Sequence, residues 1–322
     1  MPLTIPDAFR QTFADTFRDV VQQSSSRLRQ TVRTESGLTG AGKQVEFVLP
    51  VASEETTGQR YKKVLLKDLE TDMRWYYPRE FQTPTGESKW DEKKLAPTVM
   101  PGGKHVKAHL AAFNLDCDSI IMNALVGDAR TGKTGEVATP LPDSQTVPVD
   151  YVFSGSDTDS GLTVPKLLRA LEILKTNEAW GDEARQAGEK LYCVIDAATE
   201  IRLRQLSNSN LNAAGDRLFS RDFDPPMYDA TGTLVSWIGI NFVIYNRLIT
   251  DTVVGAASTD TIAAKIVPLY TSSALEFGIW SDLSTSVDIR PDLSNAVQFL
   301  SQYMLGAGRE QEKKVVRIDC LV

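Results

Sequence analysis

The stretch from about Lys104 to Val126, KHVKAHLAAFNLDCDSIIMNALV, constrains this chain more than any other feature. It follows a Pro-Gly-Gly that reads as a breaker and ends at Gly127, so it predicts one uninterrupted helix. At about 1.5 Å per residue such a helix is more than roughly 30 Å long, a spine on which other elements must pack. With 322 residues the chain can surround it with one large or two intimately joined α+β units and bury a sizeable core.

The segments before the spine are less regular. Residues 6 to 30 read as an amphipathic helix, with Pro6 in the first turn, Asp7 complementing the helix dipole, and Phe9, Phe13, Phe17, Val20 and Val21 forming a stripe. Because TESGLTGAGK follows, this helix reads as an arm on a flexible joint that packs on something distant or on another subunit; an ordinary core helix is the competing reading. Between residues 44 and 70, QVEFVLPV and YKKVLLKDL flank the polar SEETTGQR and predict a long hairpin with an exposed tip. The following WYYPREFQTPTGESKW carries Trp75, Tyr76, Tyr77, Phe81 and Trp90 among Pro and Gly, the pattern of an ordered loop or edge strand that forms either a subunit contact or local core.

Beyond a Gly/Thr/Pro-rich region that runs to about Gly161, the pattern becomes α/β. GLTVPKLLRALEILKTN predicts a helix with Thr163 placed to cap, Pro165 in its first turn, and Val164, Leu167, Leu168, Leu171 and Leu174 on one face. LYCVID reads as a buried strand, a helix begins near Ala197, and WIGINFVIY reads as another strand after a Pro/Asp-rich loop. The ending gives AAKIVPLY, LEFGIW and VDIRPD, then VQFLSQYML with Val297, Phe299, Tyr303 and Leu305 on one face, a Gly-Ala-Gly turn, and KKVVRIDC as the last member of a strand pair.

Composition narrows the function classes. The chain is 42% hydrophobic with no apolar run near the length of a membrane span, and its N-terminus lacks a secretory pattern, so no membrane role is expected and synthesis and residence in the cytoplasm are. A net charge of −7 argues against a phosphate-binding surface along the whole chain, although residues 1 to 33 are mildly basic with Arg10, Arg18, Arg27, Arg29 and Arg33. Cys117, Cys193 and Cys320 are far apart and read as reduced, buried residues.

The sharpest motif is Gly127-Asp-Ala-Arg-Thr-Gly132-Lys133-Thr134, a full match to the phosphate-binding G-x-x-x-x-G-K-[ST] loop, with Asp196 at the end of LYCVID available as a magnesium partner. The context argues against it. Such a loop follows a strand and opens a helix, whereas here a helix precedes and GEVATPLPDSQTVPVD, with three prolines, follows. His105 and His109 have the i, i+4 spacing of a zinc pair but lack the glutamate of HExxH and a third ligand, so no metal site is expected. No G-x-S-x-G elbow is present, and the acidic pairs Glu54/Glu55 and Asp157/Asp159 read as solvated loops. No catalytic residue and no cofactor is expected.

The ordered series of strings SRLRQTVR (26–33), WYYPREF (75–81), PGGKHVKAHLAAFNLDCDSIIMNAL, GLTVPKLLRALEILKTN, LYCVIDAATEIRLRQL, WIGINFVIYNRL and VDIRPDLSNAVQFLSQYMLGAGREQEKKVVRIDC resembles, over nearly the whole chain, the phage capsid proteins of the HK97-like fold found in short-tailed and related phages. GDARTGKTGEVATPLPDSQ is similar to that family's Gly/Thr-rich loop ending in LP-x-SQ. The resemblance implies an α+β fold with an N-terminal arm (1–43), an E-loop (44–70), a P-domain (71–179) containing the spine helix at about 104–126, an A-domain occupying most of 180–290, and C-terminal strands (291–322) returning to the P-domain sheet. It implies a major capsid protein, not an enzyme, that forms pentamers and hexamers of an icosahedral shell in the virion, built in the host cytoplasm. Its implied partners are further copies of itself, a scaffolding protein, a portal and a decoration protein, with packaged double-stranded DNA touched only non-specifically. Phe9, Phe13, Phe17, Trp75, Tyr76, Tyr77, Lys62 and Lys63 are the candidate assembly contacts. Some relatives cross-link E-loops between Lys and Asn, but no motif around Lys62 and Lys63 supports that chemistry. A P-loop nucleotide hydrolase using Gly127 to Thr134, and an encapsulin-like compartment, are the alternatives.

Overall fold

The computed structural model describes residues 23, 25–51, 53, 66, 68–87, 101–152, 159–208, 226–254 and 261–321, except for the side chains of 87, 101–104 and 205–208. From residue 25 the chain passes through a 3-10 turn at Arg29–Thr31 into β1 (Arg33–Ser36). β2 (Lys43–Val48), β3 (Thr71–Tyr76) and β4 (Arg79–Glu87) precede the spine helix α1 (Pro101–Val126). β5 (Ala129–Thr131), β6 (Val137–Thr139) and β7 (Thr146–Val147) lead to α2 (Val164–Thr176) and α3 (Asp182–Gln186). Then come β8 (Leu191–Ile195), α4 (Ala197–Asn208), β9 (Met227–Tyr228), β10 (Leu234–Trp237) and β11 (Ile240–Ile244). β12 (Thr250–Val254), β13 (Thr261–Thr271), β14 (Leu275–Arg290), β15 (Ala296–Arg309) and β16 (Val315–Leu321) complete the chain.

These strands form three sheets. One runs β7-β16-β13-β8-β11-β10-β9, with β12 added on β13; a second runs β1-β14-β15-β4; the third, β2-β3-β5-β6, is small. β8 shows why the largest sheet sits at the centre. Its LYCVI is apolar on both faces: Leu191, Cys193 and Ile195 join the core under α2, while Val194 joins a second core with α1, Leu28, Val32, β14 and β15. A strand buried on both sides needs no polar alternation, and β8 pairs parallel to β11 as such strands do.

Several sequence expectations change in the structure. The Pro-Gly-Gly before the spine is its first turn and not a breaker, since Pro is tolerated where its missing N–H has no helical acceptor. The helix over 163–177 forms as expected and Thr163 is its N-cap, but the Thr163 side chain makes no capping bond and Leu168 is exposed, Ala170 taking its place in the core. WIGINFVIY is not one strand: Ile238 and Gly239, at φ 55° and 73°, turn the chain between β10 and β11, the left-handed pair that a two-residue hairpin requires. LEFGIW and VDIRPD fuse into the sixteen-residue β14.

Two non-local pairings also differ. The partner of β2 is TDMRWY, Lys43 opposite Tyr76 and Val48 opposite Thr71; the expected partner YKKVLLKDL lies largely outside the described residues. The final strands do not pair with each other, because β15 joins β14 and β4 whereas β16 joins β13 and β7 in the large sheet. Thus only β15 of the expected C-terminal pair lies beside α1, and β14, placed by sequence with the large-sheet region, lies there too. The Gly-Ala-Gly is strand, not turn.

Candidate assembly surfaces

The residues that hold the outlying segments to the body come first, because they decide which surfaces are left free. Asp118 projects from α1 and is fully buried. Its Oδ1 accepts hydrogen bonds from Ser26 Oγ at 2.6 Å, Arg27 N at 3.1 Å and Leu28 N at 3.0 Å, and Oδ2 accepts from the Gln23 side-chain amide. A carboxylate that receives this many donors is a strong anchor, and it fixes the foot of the arm against the spine. Nearby, the Thr31 and Tyr270 hydroxyls meet at 2.6 Å, tying the arm to β13. The sequence signal for Asp118 was an acid inside an otherwise apolar helical run, and its role escaped the reading because the partner is ninety residues away.

At the C-terminus of α1, buried Arg309 donates from Nη1 to the carbonyls of Leu125 (3.1 Å) and Gly127 (2.7 Å) and from Nη2 to that of Thr139 (3.3 Å). A cation at a helix C-terminus answers the macrodipole, so Arg309 joins the spine, β6 and β15 although burial pulls its pKa down. Lys166 does similar work under α2, its fully buried ammonium donating to the carbonyls of Val149, Ser160 and Asp319 at 2.7, 2.8 and 3.0 Å, with its pKa lowered by burial.

The aromatic corner at 75–77 divides its residues between roles. Tyr76 is buried within the subunit, edge-on to Trp280, so as a contact between subunits it is corrected to a core residue. The expected Gly-Ala-Gly turn is explained here, because a Cβ on Gly306 would stand 2.6 Å from the Tyr77 carbonyl and one on Gly308 2.8 Å from Tyr76 Cβ. These glycines let β15 run straight beneath the corner. Trp75 stacks on Tyr77, and both grip the loop that follows β5: Trp75 Nε1 donates to Gly132 O at 2.8 Å and the Tyr77 hydroxyl to Thr134 O at 3.0 Å. Only Tyr77 of the three is substantially exposed.

That grip settles the phosphate-loop motif. Gly127 follows α1, and Gly132, Lys133 and Thr134 lie in the turn of the β5–β6 hairpin, with Ala129 opposite Thr139 and Thr131 opposite Val137. Loop carbonyls are held by aromatic donors, and the segment opens no helix. Asp196 caps α4 by accepting from Thr199 N at 2.8 Å and pairs with Lys265 at 2.8 Å, far from magnesium duty. This geometry gives the nucleotide-hydrolase alternative no support.

The two histidines serve packing. Thr85 Oγ1 lies 2.9 Å from His105 Nδ1 and 3.0 Å from His109 Nε2, and His109 Nδ1 lies 2.7 Å from Ser301 Oγ. Burial, with His105 adjacent, lowers the His109 pKa, so a neutral ring bridges α1 to β4 and β15. Among the described residues no group of three or more His, Cys, Asp or Glu could hold a metal, and no helix is long and apolar enough to cross a membrane. All three cysteines are free and buried.

What remains outward is apolar on the β2–β3 hairpin: Val48, Leu49, Val51, Leu66 and Leu69 are exposed, with the ladder continued by a Leu49 N–H bond to Glu70 O. Large apolar side chains exposed on one element are the material of an interaction surface. Lys62, Lys63, Phe9, Phe13 and Phe17 lie outside the described residues. At the hairpin's foot, Lys43 pairs with Glu35 of β1 at 2.8 Å, and burial followed by Glu35 itself pushes the neighbouring Glu276 of β14 up to about 7.

A long helix laid on a four-stranded sheet, a larger mixed sheet beside it and an apolar hairpin define a phage-capsid fold, and solved structures agree. The chain is similar to the capsid of Ralstonia phage GP4 (12% identity, 100% of this chain and 98% of that one, TM-score 0.68), to the cyanophage Pam1 capsid (10%, 96% and 95%, 0.66), and to a chain of Mycobacterium phage Che8 (14%, 95% and 95%, 0.62). A search of curated protein sequences finds no match. The profile of the family described as phage capsid protein matches residues 5–322, and the chain belongs to that family. It is a structural protein of the virion with an HK97-like fold.

Proposed function

We propose that this protein is the major capsid protein of a tailed phage, repeated through pentamers and hexamers to form the icosahedral shell around the genome. The observation that carries the reading is the family match over residues 5–322, together with a fold that follows phage capsid structures along the full chain. In this reading α1 with the four-stranded sheet is the P-domain, the large sheet with α4 and with α2, which the resemblance assigned to the P-domain but which packs on the large sheet, is the A-domain, and the β2–β3 hairpin is the foot of the E-loop. Heterologous contacts between unlike patches close rings, and the apolar hairpin supplies one such patch for a neighbour. The net charge of −7 keeps the packaged DNA weakly held. Assembly takes place in the host cytoplasm with a scaffolding protein, and a portal and decoration protein complete the particle.

The test is co-expression with the scaffolding protein of the same phage, followed by electron microscopy of the product. Closed shells of pentamers and hexamers are expected. A product that remains monomeric or dimeric contradicts the reading, and shells that enclose enzyme cargo in place of DNA in the native host would make it a cellular compartment.

A further inference from the structure

Beside the aromatic corner the chain holds a cleft of about 530 Å³, lined by Trp75, Tyr77 and Arg79, the C-terminal turn of α1, Arg130 of β5 and Arg309 of β15. Its walls are pinned from behind. Trp75 and Tyr77 stack, and their polar atoms are held by the carbonyls of Gly132 and Thr134. Arg309 is buried and held by those of Leu125, Gly127 and Thr139. A group that seats here meets side chains already ordered, so the contact forfeits little rotamer entropy. Trp, Tyr and Arg are also the residues that carry most of the energy where proteins associate, and here they meet in one concave place.

The charges of this cleft are out of balance. Arg79 and Arg130 stand exposed on it, and among the described residues neither makes an ion pair or a side-chain hydrogen bond. With Arg309 that makes three arginines against Asp128, the one acid among the lining residues. The chain as a whole has the opposite surplus, 42 Asp and Glu against 35 Lys and Arg. A guanidinium offers a planar fork of donors that a carboxylate accepts in pairs, and a ring wall that sheds water strengthens the attraction. The anion that completes the cleft is thus one that this chain carries in excess.

We propose that this cleft is an interface between subunits and receives a carboxylate-bearing segment of a second copy of the chain, the acid pairing with Arg79 and Arg130 and its neighbours lying on Trp75 and Tyr77. The volume is that of a pocket which buries a small ligand, so it admits a few residues of one chain and not a nucleic-acid duplex. The net charge of −7 weighs against DNA as the occupant in the same direction. Trp75 lies near one end of β3, and the other end pairs Thr71 with exposed Val48, so the cleft continues the hairpin surface already assigned to a neighbour. The inference rests on the reading of the chain as a shell subunit and adds to it a polar contact of defined chemistry.

The experiment compares the wild-type chain with Arg79→Glu/Arg130→Glu, each co-expressed in full with the scaffolding protein in the absence of phage DNA. Shell yield of the variant is expected to fall at least about tenfold, because a charge pair desolvated at an interface is replaced by like charges. Its urea midpoint as an unassembled subunit is expected to stay that of the wild type, since both arginines are exposed and unpaired. In a second arm, shells of Arg130→Lys are grown from mixed isotopically heavy and light chains, and their carboxyl groups are activated with a water-soluble carbodiimide, which the amine displaces to form an amide. Mass spectrometry is expected to find position 130 joined to an Asp or Glu of another chain, in shells and not in unassembled subunits. Wild-type shell yield in the double variant overturns the proposal, as do amides formed only within one chain. Wild-type chains that form no shells contradict the capsid reading and the proposal together, whereas good wild-type shells beside an unmoved variant contradict the proposal alone.

Discussion

The large sheet and the four-stranded sheet handle burial in opposite ways. Each face of the large sheet has its own core: α2 covers one, and the C-terminal half of α1 with Leu28, Val32 and the near ends of β14 and β15 covers the other. The four-stranded sheet shares that second core only at its near end, and its far end exposes Val287 and Ile289. One region buries both of its faces within the chain; the other leaves apolar side chains of β14 exposed. In a subunit whose work is association, stability and contact are thereby kept on different parts of the molecule.

Substitutions sharpen that contrast. The largest effect is expected at Leu174, fully buried beneath the large sheet, where Leu174→Ala should cost about 2–5 kcal/mol, read from urea unfolding. Leu110→Ala, the same change on the half-exposed flank of α1, should cost under about 0.5 kcal/mol in the unassembled protein. Equal losses at the two leucines would erase the distinction.

Asp118→Ala comes next. It deprives the backbone N–H groups of Arg27 and Leu28 and the Ser26 hydroxyl of their acceptor, and about 2–3 kcal/mol of destabilisation is expected. Hydrogen exchange should show protection lost first at residues 25–32, while β8 stays protected; a uniform loss would mean that the arm's foot and the large sheet form one cooperative unit. Gly308→Ala, which drives a Cβ into Tyr76, should cost about 1–3 kcal/mol and loosen the corner that holds the β5–β6 hairpin, visible as a change in tryptophan fluorescence.

A pH response is also expected at the junction of β1, β2 and β14. Burial and then Glu35 raise Glu276 to about 7 from the ordinary 4.5, while its hydrogen bond to Glu276 and then Lys43 lower Glu35. The folded state therefore keeps a proton on Glu276 that the unfolded chain has already released, so this group's contribution to stability falls as pH rises from about 4.5 to about 7. Glu276→Gln should flatten the dependence of the urea midpoint over that window, and an unchanged slope would contradict the assignment. The smallest effect is expected for Lys133→Ala, under about 0.5 kcal/mol, with no change in thermal shift on adding magnesium and ATP.

What sequence made visible follows the range of the interactions. α2 and β8 were legible because a 3.6-residue period and a continuous apolar run are local signals. The spine was legible in type and end, and only its start moved, Pro101 to Gly103 entering the first turn. Pairings set by distant partners were not legible: β2 with β3 in place of the nearer run, and β16 with β13 in place of β15. Gly306 and Gly308 resembled a turn because a glycine signals an unusual backbone and a close neighbour equally well; the neighbour, Tyr76–Tyr77, lies more than two hundred residues away. Of the candidate contacts, Tyr76 proved to be core for the same reason, and the anchors Asp118, Lys166 and Arg309 acquire their meaning only from the carbonyls and amides that the fold brings to them.

The central claim is that an internally complete subunit offers its unfinished surfaces to copies of itself. Electron microscopy of the protein co-expressed with its scaffolding partner tests this most directly. The account predicts closed icosahedral shells in which the β2–β3 hairpin lies on a neighbouring subunit. Particles in which that hairpin folds back on its own chain, or a product that never advances beyond a dimer, would contradict it.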